Sequence, residues 1–166
     1  MAREFVYLNP SHCVDGFKCS VQDLCEFLID DAIAYQEVFM ARTYLVYEDD
    51  ELAAYFALAA DSIQLELPEV PDGCEGKTKT YPALKLAHLA TDSRFEHRRI
   101  ASDALEFCIG AAREMNVDTP GVGCRFVTVD ALPTAESWYL EKGFVPNQKY
   151  KSRTITRSMR LDVLAD

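Results

Sequence analysis

Apolar and polar positions along this chain follow two periods, and the changes of period mark its elements. Residues 42–48 and 51–66 are rich in β-branched, aromatic and small apolar residues, which predicts two strands. The acidic link Glu48-Asp49-Asp50-Glu51 between them predicts a turn, so the pair reads as a β-hairpin. Residues 81–91 (YPALKLAHLAT) and 124–130 predict further strands, and 153–163 alternates well enough to be a last one. A helical period takes over elsewhere. Val21, Leu24, Cys25, Leu28, Ala32, Tyr35 and Phe39 recur at helical spacing, predicting one long helix or two short ones over 20–40. Ser20 followed by Asp23 has the pattern of a capping box, with Asp in place of Glu or Gln. Over 98–115, Ala101, Leu105, Cys108 and Ala112 form a stripe, with Ile100, Ala104, Ala111 and Met115 beside it. That is a broad core-facing surface. Residues 134–142 predict a short helix closed by Gly143 at the position that favours left-handed backbone. Pro68, Pro71, Gly73 and Gly76 make 67–80 a loop. Hairpin strands followed by a crossover helix imply an α/β fold: a mixed sheet with helices on its faces.

Bulk properties narrow the classes. A chain of 166 residues, 49% of them hydrophobic, is expected to be one domain (1–166) with a real core rather than a disordered chain. No apolar run nears the roughly 20 residues needed to span a bilayer, and MAREFVYLNP lacks a signal-peptide core, so no membrane and a cytoplasmic location are expected. None of the six cysteines forms a CxxC pair, so no metal is expected and free buried thiols are the reading. The net charge of −10 is uneven: residues 1–80 carry 16 acidic and 5 basic side chains, residues 81–166 carry 11 and 12. Overall acidity argues against broad nucleic-acid binding, since phosphate neutralisation dominates that affinity. The basic groups gather locally, at Arg94, Arg98 and Arg99 and again at Lys149, Lys151, Arg153, Arg157 and Arg160.

The segment from Leu84 to Phe144 holds the candidate chemistry. A strand, a charged loop and a helix in that order place a helix N-terminus just past the carboxyl end of a strand. The unpaired N–H groups and positive dipole end there suit an anion such as a pyrophosphate. Three arginines at such a helix start oppose its dipole unless an anion is present. The later helix offers Tyr139, a phenol able to donate a proton.

Two motifs, LAHLATDSRFEHRRIASDAL and AESWYLEKGF, resemble the GNAT superfamily of N-acetyltransferases: the first its strand, pyrophosphate loop and helix, the second its A-x-x-x-Y-x-x-x-GF closing motif. The resemblance runs from about residue 16 to the end. The front stretch FKCSVQDLCEFLIDDAIAYQ, followed by ARTYLVYEDDELAAYFALAADSI, is similar to the branch containing the aminoacyl-tRNA-acetylating toxins. It implies a GNAT-type, mostly antiparallel sheet with helices on both faces, and acetyl-CoA as acyl donor. It implies cofactor contacts from the backbone of Leu89, Ala90 and Thr91 and from the N–H groups of His97, Arg98, Arg99, Ile100, Ala101 and Ser102. It also implies Tyr139 as general acid toward the leaving thiolate.

One departure stands out. Where the family's loop reads Gln/Arg-x-x-Gly-x-Gly/Ala, this chain has Glu96, His97, Arg98, Arg99, Ile100 and Ala101, so Arg99 sits where the first glycine belongs. Either acetyl-CoA binding is weakened or lost, or Arg98 and Arg99 replace part of the amide cradle with side-chain charge. For proton removal, His88 on the cofactor strand is a candidate, and Lys85 occupies the place where some relatives carry a glutamate base. Arg157, in phase with Ile155, Met159 and Leu161, either lines a substrate groove or guards a strand edge. The expected reaction is direct acetyl transfer from acetyl-CoA to a primary amine. The acceptor is open among a polyamine-like molecule, a peptide N-terminus, a lysine and an aminoacyl-tRNA. The two alternatives are a toxin-like enzyme acting on tRNA, and a catalytically silent binding protein of the same fold; a homodimer is also left open.

Overall fold

The computed structural model describes residues 2–150 and 155–165. Its strands are β1 (Arg3–Tyr7), β2 (Arg42–Glu48), β3 (Glu51–Ile63), β4 (Tyr81–Thr91), β5 (Phe126–Ala131), β6 (Val145–Pro146) and β7 (Arg157–Asp162). Its helices are α1 (Gln22–Glu26), α2 (Ala32–Glu37), α3 (Ile100–Glu114) and α4 (Glu136–Glu141), with a π-helical turn, Phe27–Asp31, joining α1 to α2. The strands form one seven-stranded sheet in the order β1-β2-β3-β4-β5-β7-β6. The β4–β5 pairing is parallel, over Ala83–Lys85 against Phe126–Thr128, whereas β1–β2, β2–β3, β5–β7 and β6–β7 are antiparallel. The mixed, mostly antiparallel sheet expected from the sequence is therefore present. The chain divides into two compact units, Met1–Ala59 with Leu86–Cys108, and Ala60–Lys85 with Ile109–Asp166.

In unit one the alternation of β2 and β3 sorts side chains onto two faces. One face buries Leu45 and Tyr55 against Phe27, Leu28 and Ala32 of the helical segment. The Tyr55 hydroxyl donates to the Leu24 carbonyl at 2.5 Å. The other face carries Tyr44 and Phe56, stacked at 4.9 Å, with Phe5 and Phe107 of α3 joining them. Asp49 and Asp50 both adopt left-handed backbone, φ 50° and 65°, as a tight hairpin turn of primed type requires. In unit two, Ile63, Tyr81, Ala83 and Phe126 form a core cluster. Asn116 seals the loop before β5, donating to the Ala112 and Cys124 carbonyls and accepting from the Cys124 N–H.

Several expectations need correction. Ser20 does not cap the first helix: Val21 is its N-cap, without a side-chain bond, and the Cys19 N–H donates to the Cys25 sulfur at 3.1 Å. The helical stripe over 20–40 breaks down toward its end. A π turn inserts an extra residue per turn, so the apolar period drifts off the buried face. Phe39 lies past the helix and is 95% exposed, and Tyr35 is exposed too. Strand β3 stops at Ile63 rather than 66. The last strand begins at Arg157, and positions 153 and 154 lie outside the described residues, as does Lys151. Only Cys108 and Cys124 are buried thiols, while Cys13 is exposed. No helix among the described residues is long and apolar enough to cross a membrane.

Candidate functional site

The cofactor residues expected from the sequence lie in unit one. Leu89 and Thr91 are half-buried and Ala90 is buried at the carboxyl end of β4. The chain then turns on Asp92, whose side chain is buried. The Asp92 N–H donates to the Ala53 carbonyl at 2.8 Å, and the Ser93 N–H to the Lys18 carbonyl at 2.7 Å. The Asp92 carboxylate accepts from the N–H groups of Lys18 and Arg94 and from the Arg94 guanidinium. Burial alone would raise its pKa. The hydrogen bonds from Arg94 and Lys18 outweigh that and hold the carboxyl below its usual range. The stretch at Lys18 is thereby fastened to the entrance of the loop.

A second buried carboxylate holds the loop from below. Glu48, at the end of β2, has a fully buried side chain that accepts from Arg3 at 3.0 Å and from Arg98 at 3.1 Å. Burial pulls its pKa up, yet these two guanidinium groups win and keep it ionised below the ordinary carboxylate range. Arg3 also bonds to Asp103 in the first turn of α3 and to the Arg98 carbonyl. Arg98 lies 5.0 Å over the Phe95 ring, and Arg94 bridges Asp92 and Glu51. Two of the three loop arginines are thus committed to carboxylates of the fold, in which role they position the loop. Arg99 is exposed, as are Glu96 and His97.

The backbone of the loop keeps the shape that glycine would give it. His97 and Arg99 take φ 63° and 64°, left-handed conformations that cost an L-residue about 1–2 kcal/mol each. Helix α3 then begins, its ladder opening with the Asp103 N–H donating to the Arg99 carbonyl at 3.1 Å. The N–H groups of Ile100, Ala101 and Ser102 precede that bond, so they are first-turn donors without an intrahelical acceptor. Ile100 and Ser102 are buried, and Ala101 is half-buried. His88 lies flat on Phe27, ring centroids 3.6 Å apart. That contact gives it a packing role in the core under β4.

Tyr139 belongs to unit two, on α4. It is 8% exposed and meets Trp138 and Phe144 edge-on, at 4.9 and 5.3 Å. The helix closes with the Phe144 N–H on the Tyr139 carbonyl and the Gly143 N–H on the Leu140 carbonyl, both at 3.0 Å, with Gly143 at φ 91°. Phe144 beyond it is buried, so the paired-bond closure fastens Tyr139 from its C-terminal side. Lys85 pairs with Asp130 across the β4–β5 ladder at 2.5 Å. Arg157 bonds to Glu136 at the start of α4 at 2.6 Å. Arg160 is buried and bonds to Glu69 and Asn147, each at 2.9 Å.

Sequence reasoning missed Arg3, Lys18, Glu48 and Asp92. Their partners are up to a hundred positions away, and the only local hint was an acidic residue at each strand end. Among the described residues no group of three or more histidine, cysteine, aspartate or glutamate side chains is arranged to hold a metal.

No family model and no curated relative matches the chain. Solved structures do match. A bacterial toxin aligns with a TM-score of 0.82 at 16% identity, over 98% of this chain and 91% of its own. AtaT complexed with acetyl-methionyl-tRNAfMet aligns at 0.79 and 16% identity, over 97% and 95%. A tyrosine-to-phenylalanine mutant of AtaT, bound to acetyl-CoA and to the C-terminus of the antitoxin AtaR, aligns at 0.77 and 14% identity, over 98% and 94%. Likeness at such identities speaks for architecture, and on that ground the chain has the GNAT fold of these toxins.

Proposed function

We propose that this protein is an acetyl-CoA-dependent N-acetyltransferase whose acceptor is the amino group of an aminoacyl-tRNA. The observation that carries the first half is the loop backbone. It is left-handed at His97 and Arg99 and leads into the first-turn N–H groups of Ile100, Ala101 and Ser102, which have no intrahelical acceptor. Holding two L-residues in that conformation is unfavourable by itself. It suits a loop whose amides face a pyrophosphate. The acceptor is supported by the shared fold with AtaT, which has been solved with acetyl-methionyl-tRNAfMet. This replaces the broader expectation of an unspecified primary amine.

In this reading the backbone of Leu89, Ala90 and Thr91 pairs with the pantetheine arm. The acceptor nitrogen attacks the acetyl carbonyl, a C–N bond forms, and the C–S bond breaks. Tyr139 gives its proton to the departing thiolate, and the proton the nitrogen loses passes through water and restores the phenol. The acceptor's own acidity supports this choice. Lys85 is paired to Asp130, so a charged ammonium stands where some relatives carry a glutamate base. An α-amino group titrates near 7.7–8.0 and is partly neutral at physiological pH, whereas a lysine near 10.4 needs a base. An aminoacyl ester therefore makes the smaller demand.

The test offers labelled acetyl-CoA to the purified protein with a pool of charged tRNAs, free amines and peptides. Label should appear on charged tRNA and leave with the N-acetylamino acid when the ester is hydrolysed. Label on free amines alone would overturn the acceptor. Arg99 at the glycine position favours a second reading, a silent GNAT-fold binder. Absence of acetyl-CoA binding at about millimolar ligand would establish it.

A further inference from the structure

We infer that the end of α2 is a docking surface for a cationic amphipathic segment of a partner protein. Two independent features meet there, and the inference stands apart from the acetyl-transfer reading. The first is Phe39. Helix α2 closes with the Met40 N–H on the Tyr35 carbonyl at 2.9 Å and the Phe39 N–H on the Gln36 carbonyl at 3.2 Å. That closure needs left-handed backbone at residue 39, where glycine is usual. Phe39 supplies it at φ 60°, against its own steric preference. No burial compensates: Phe39 is 95% exposed, Val38 66%, Met40 62% and Tyr35 43%. A glycine would serve the fold better. The aromatic ring serves something outside the chain.

The presentation is rigid rather than frayed. The Gln36 amide donates to the Leu8 carbonyl at 2.8 Å and accepts from the Thr43 N–H at 3.1 Å, tying the helix end to the chain at β1 and β2. Tyr35 meets Phe27 edge-on at 5.3 Å, which fixes its ring. Pre-set anchors of this kind lower the entropy cost of association.

The second feature is charge. From Cys19 to Ala41 the chain carries Asp23, Glu26, Asp30, Asp31 and Glu37 and no lysine or arginine. All five are exposed, and none takes part in an ion pair among the described residues. Arg42, the next cation, is held 4.2 Å over the Tyr7 ring. An apolar patch beside uncompensated negative charge fits an opposite partner, with apolar side chains on one stripe and arginine or lysine flanking it. A second copy of this chain would set acid against acid.

The test uses the full-length protein and two synthetic peptides of about 18 residues, five helical turns. Both carry leucine at helical spacing, one with arginine and the other with glutamate on the remaining positions. The arginine peptide should bind, more weakly as salt is raised, and the glutamate peptide should not. Phe39→Gly should weaken binding at least about tenfold while raising the melting temperature, so lost binding cannot be blamed on unfolding. Asp30→Lys with Asp31→Lys should abolish the preference for arginine. Equal binding of both peptides, or unchanged affinity in Phe39→Gly, would overturn the inference. So would a dimer, seen by light scattering of the protein alone, that Phe39→Gly dissolves, because the occupant would then be a second copy.

Discussion

Helices α2 and α4 end in the same backbone motif, and they use it for opposite purposes. In each, the second residue past the cap bonds back across six residues, Met40 to Tyr35 and Phe144 to Tyr139. In each, the residue between is left-handed, Phe39 at φ 60° and Gly143 at φ 91°. At α4 the left-handed place is filled by glycine, and Phe144 is 1% exposed against Tyr139. At α2 the place is filled by phenylalanine, and Tyr35, Val38 and Met40 beside it are exposed. The same hydrogen bonds thus close a helix inward in one region and outward in the other. The residue at the left-handed position tells which demand prevailed there. Glycine marks an end shaped for the fold, and Phe39 marks an end where the fold gives way to another use.

The largest effect expected from breaking this comparison falls on α4. Tyr139→Phe keeps the ring, its edge contacts with Trp138 and Phe144, and the backbone closure, and removes only the hydroxyl. If that end exists to hold a proton donor, turnover should fall about 10²–10⁴-fold. The acetyl-CoA dissociation constant should barely move, since the loss is confined to the chemical step, and the melting temperature is measured alongside to separate a loss of fold from a loss of chemistry. Single-turnover acetyl transfer, with titration of acetyl-CoA alongside, checks it. Full turnover in the variant would reduce Tyr139 to packing.

A smaller effect is expected one turn on. Gly143→Ala meets no steric obstacle, as the added methyl would lie 3.7 Å from a Leu161 methyl, an ordinary contact. The cost is conformational alone, about 1–2 kcal/mol for an L-residue at left-handed φ. Urea denaturation should show it as a lower midpoint with unchanged slope. Because the closure also fastens Tyr139, turnover should fall further than stability at assay temperature explains.

How much of this was legible beforehand differs element by element. The hairpin of β2 and β3 was readable because two runs rich in aromatic, β-branched and small apolar residues flank an acidic link, which is a local signal. Gly143 was readable as a helix stop for the same local reason. Phe39 was counted in the helical repeat of 20–40 although it lies past α2, because the π turn at Phe27–Asp31, which spoils that spacing, leaves no mark in composition. Glu48 was legible as the residue where β2 enters the turn, but its burial was not. Its neighbours are acidic, and only Arg3 and Arg98, distant in sequence, make its burial tolerable. Arg99 stands at the position that the resemblance gives to a glycine, and its backbone is left-handed. The anchors that flank it, Lys18 on Asp92 and Arg98 on Glu48, join residues distant in sequence, so no local pattern encodes them.

The smallest expected effect has the opposite sign and bears most directly on the comparison. Phe39→Gly should stabilise the protein. Phenylalanine at φ 60° costs about 1–2 kcal/mol. Glycine takes back about 0.5–1 kcal/mol through the added freedom of the unfolded chain. The side chain contributes nothing in return, being 95% exposed. The net gain is about 0–1.5 kcal/mol, centred below 1, visible as a rise in denaturation midpoint at unchanged slope. Gly143→Ala and Phe39→Gly are then mirror changes at one motif, the first destabilising and the second stabilising. Phe39→Ala separates the two contributions, for it removes the ring but keeps the strain and should leave stability nearly unchanged. A loss of stability in Phe39→Gly would mean that the ring supports α2 from within, and the contrast between the two helix ends would then be one of sequence and not of purpose.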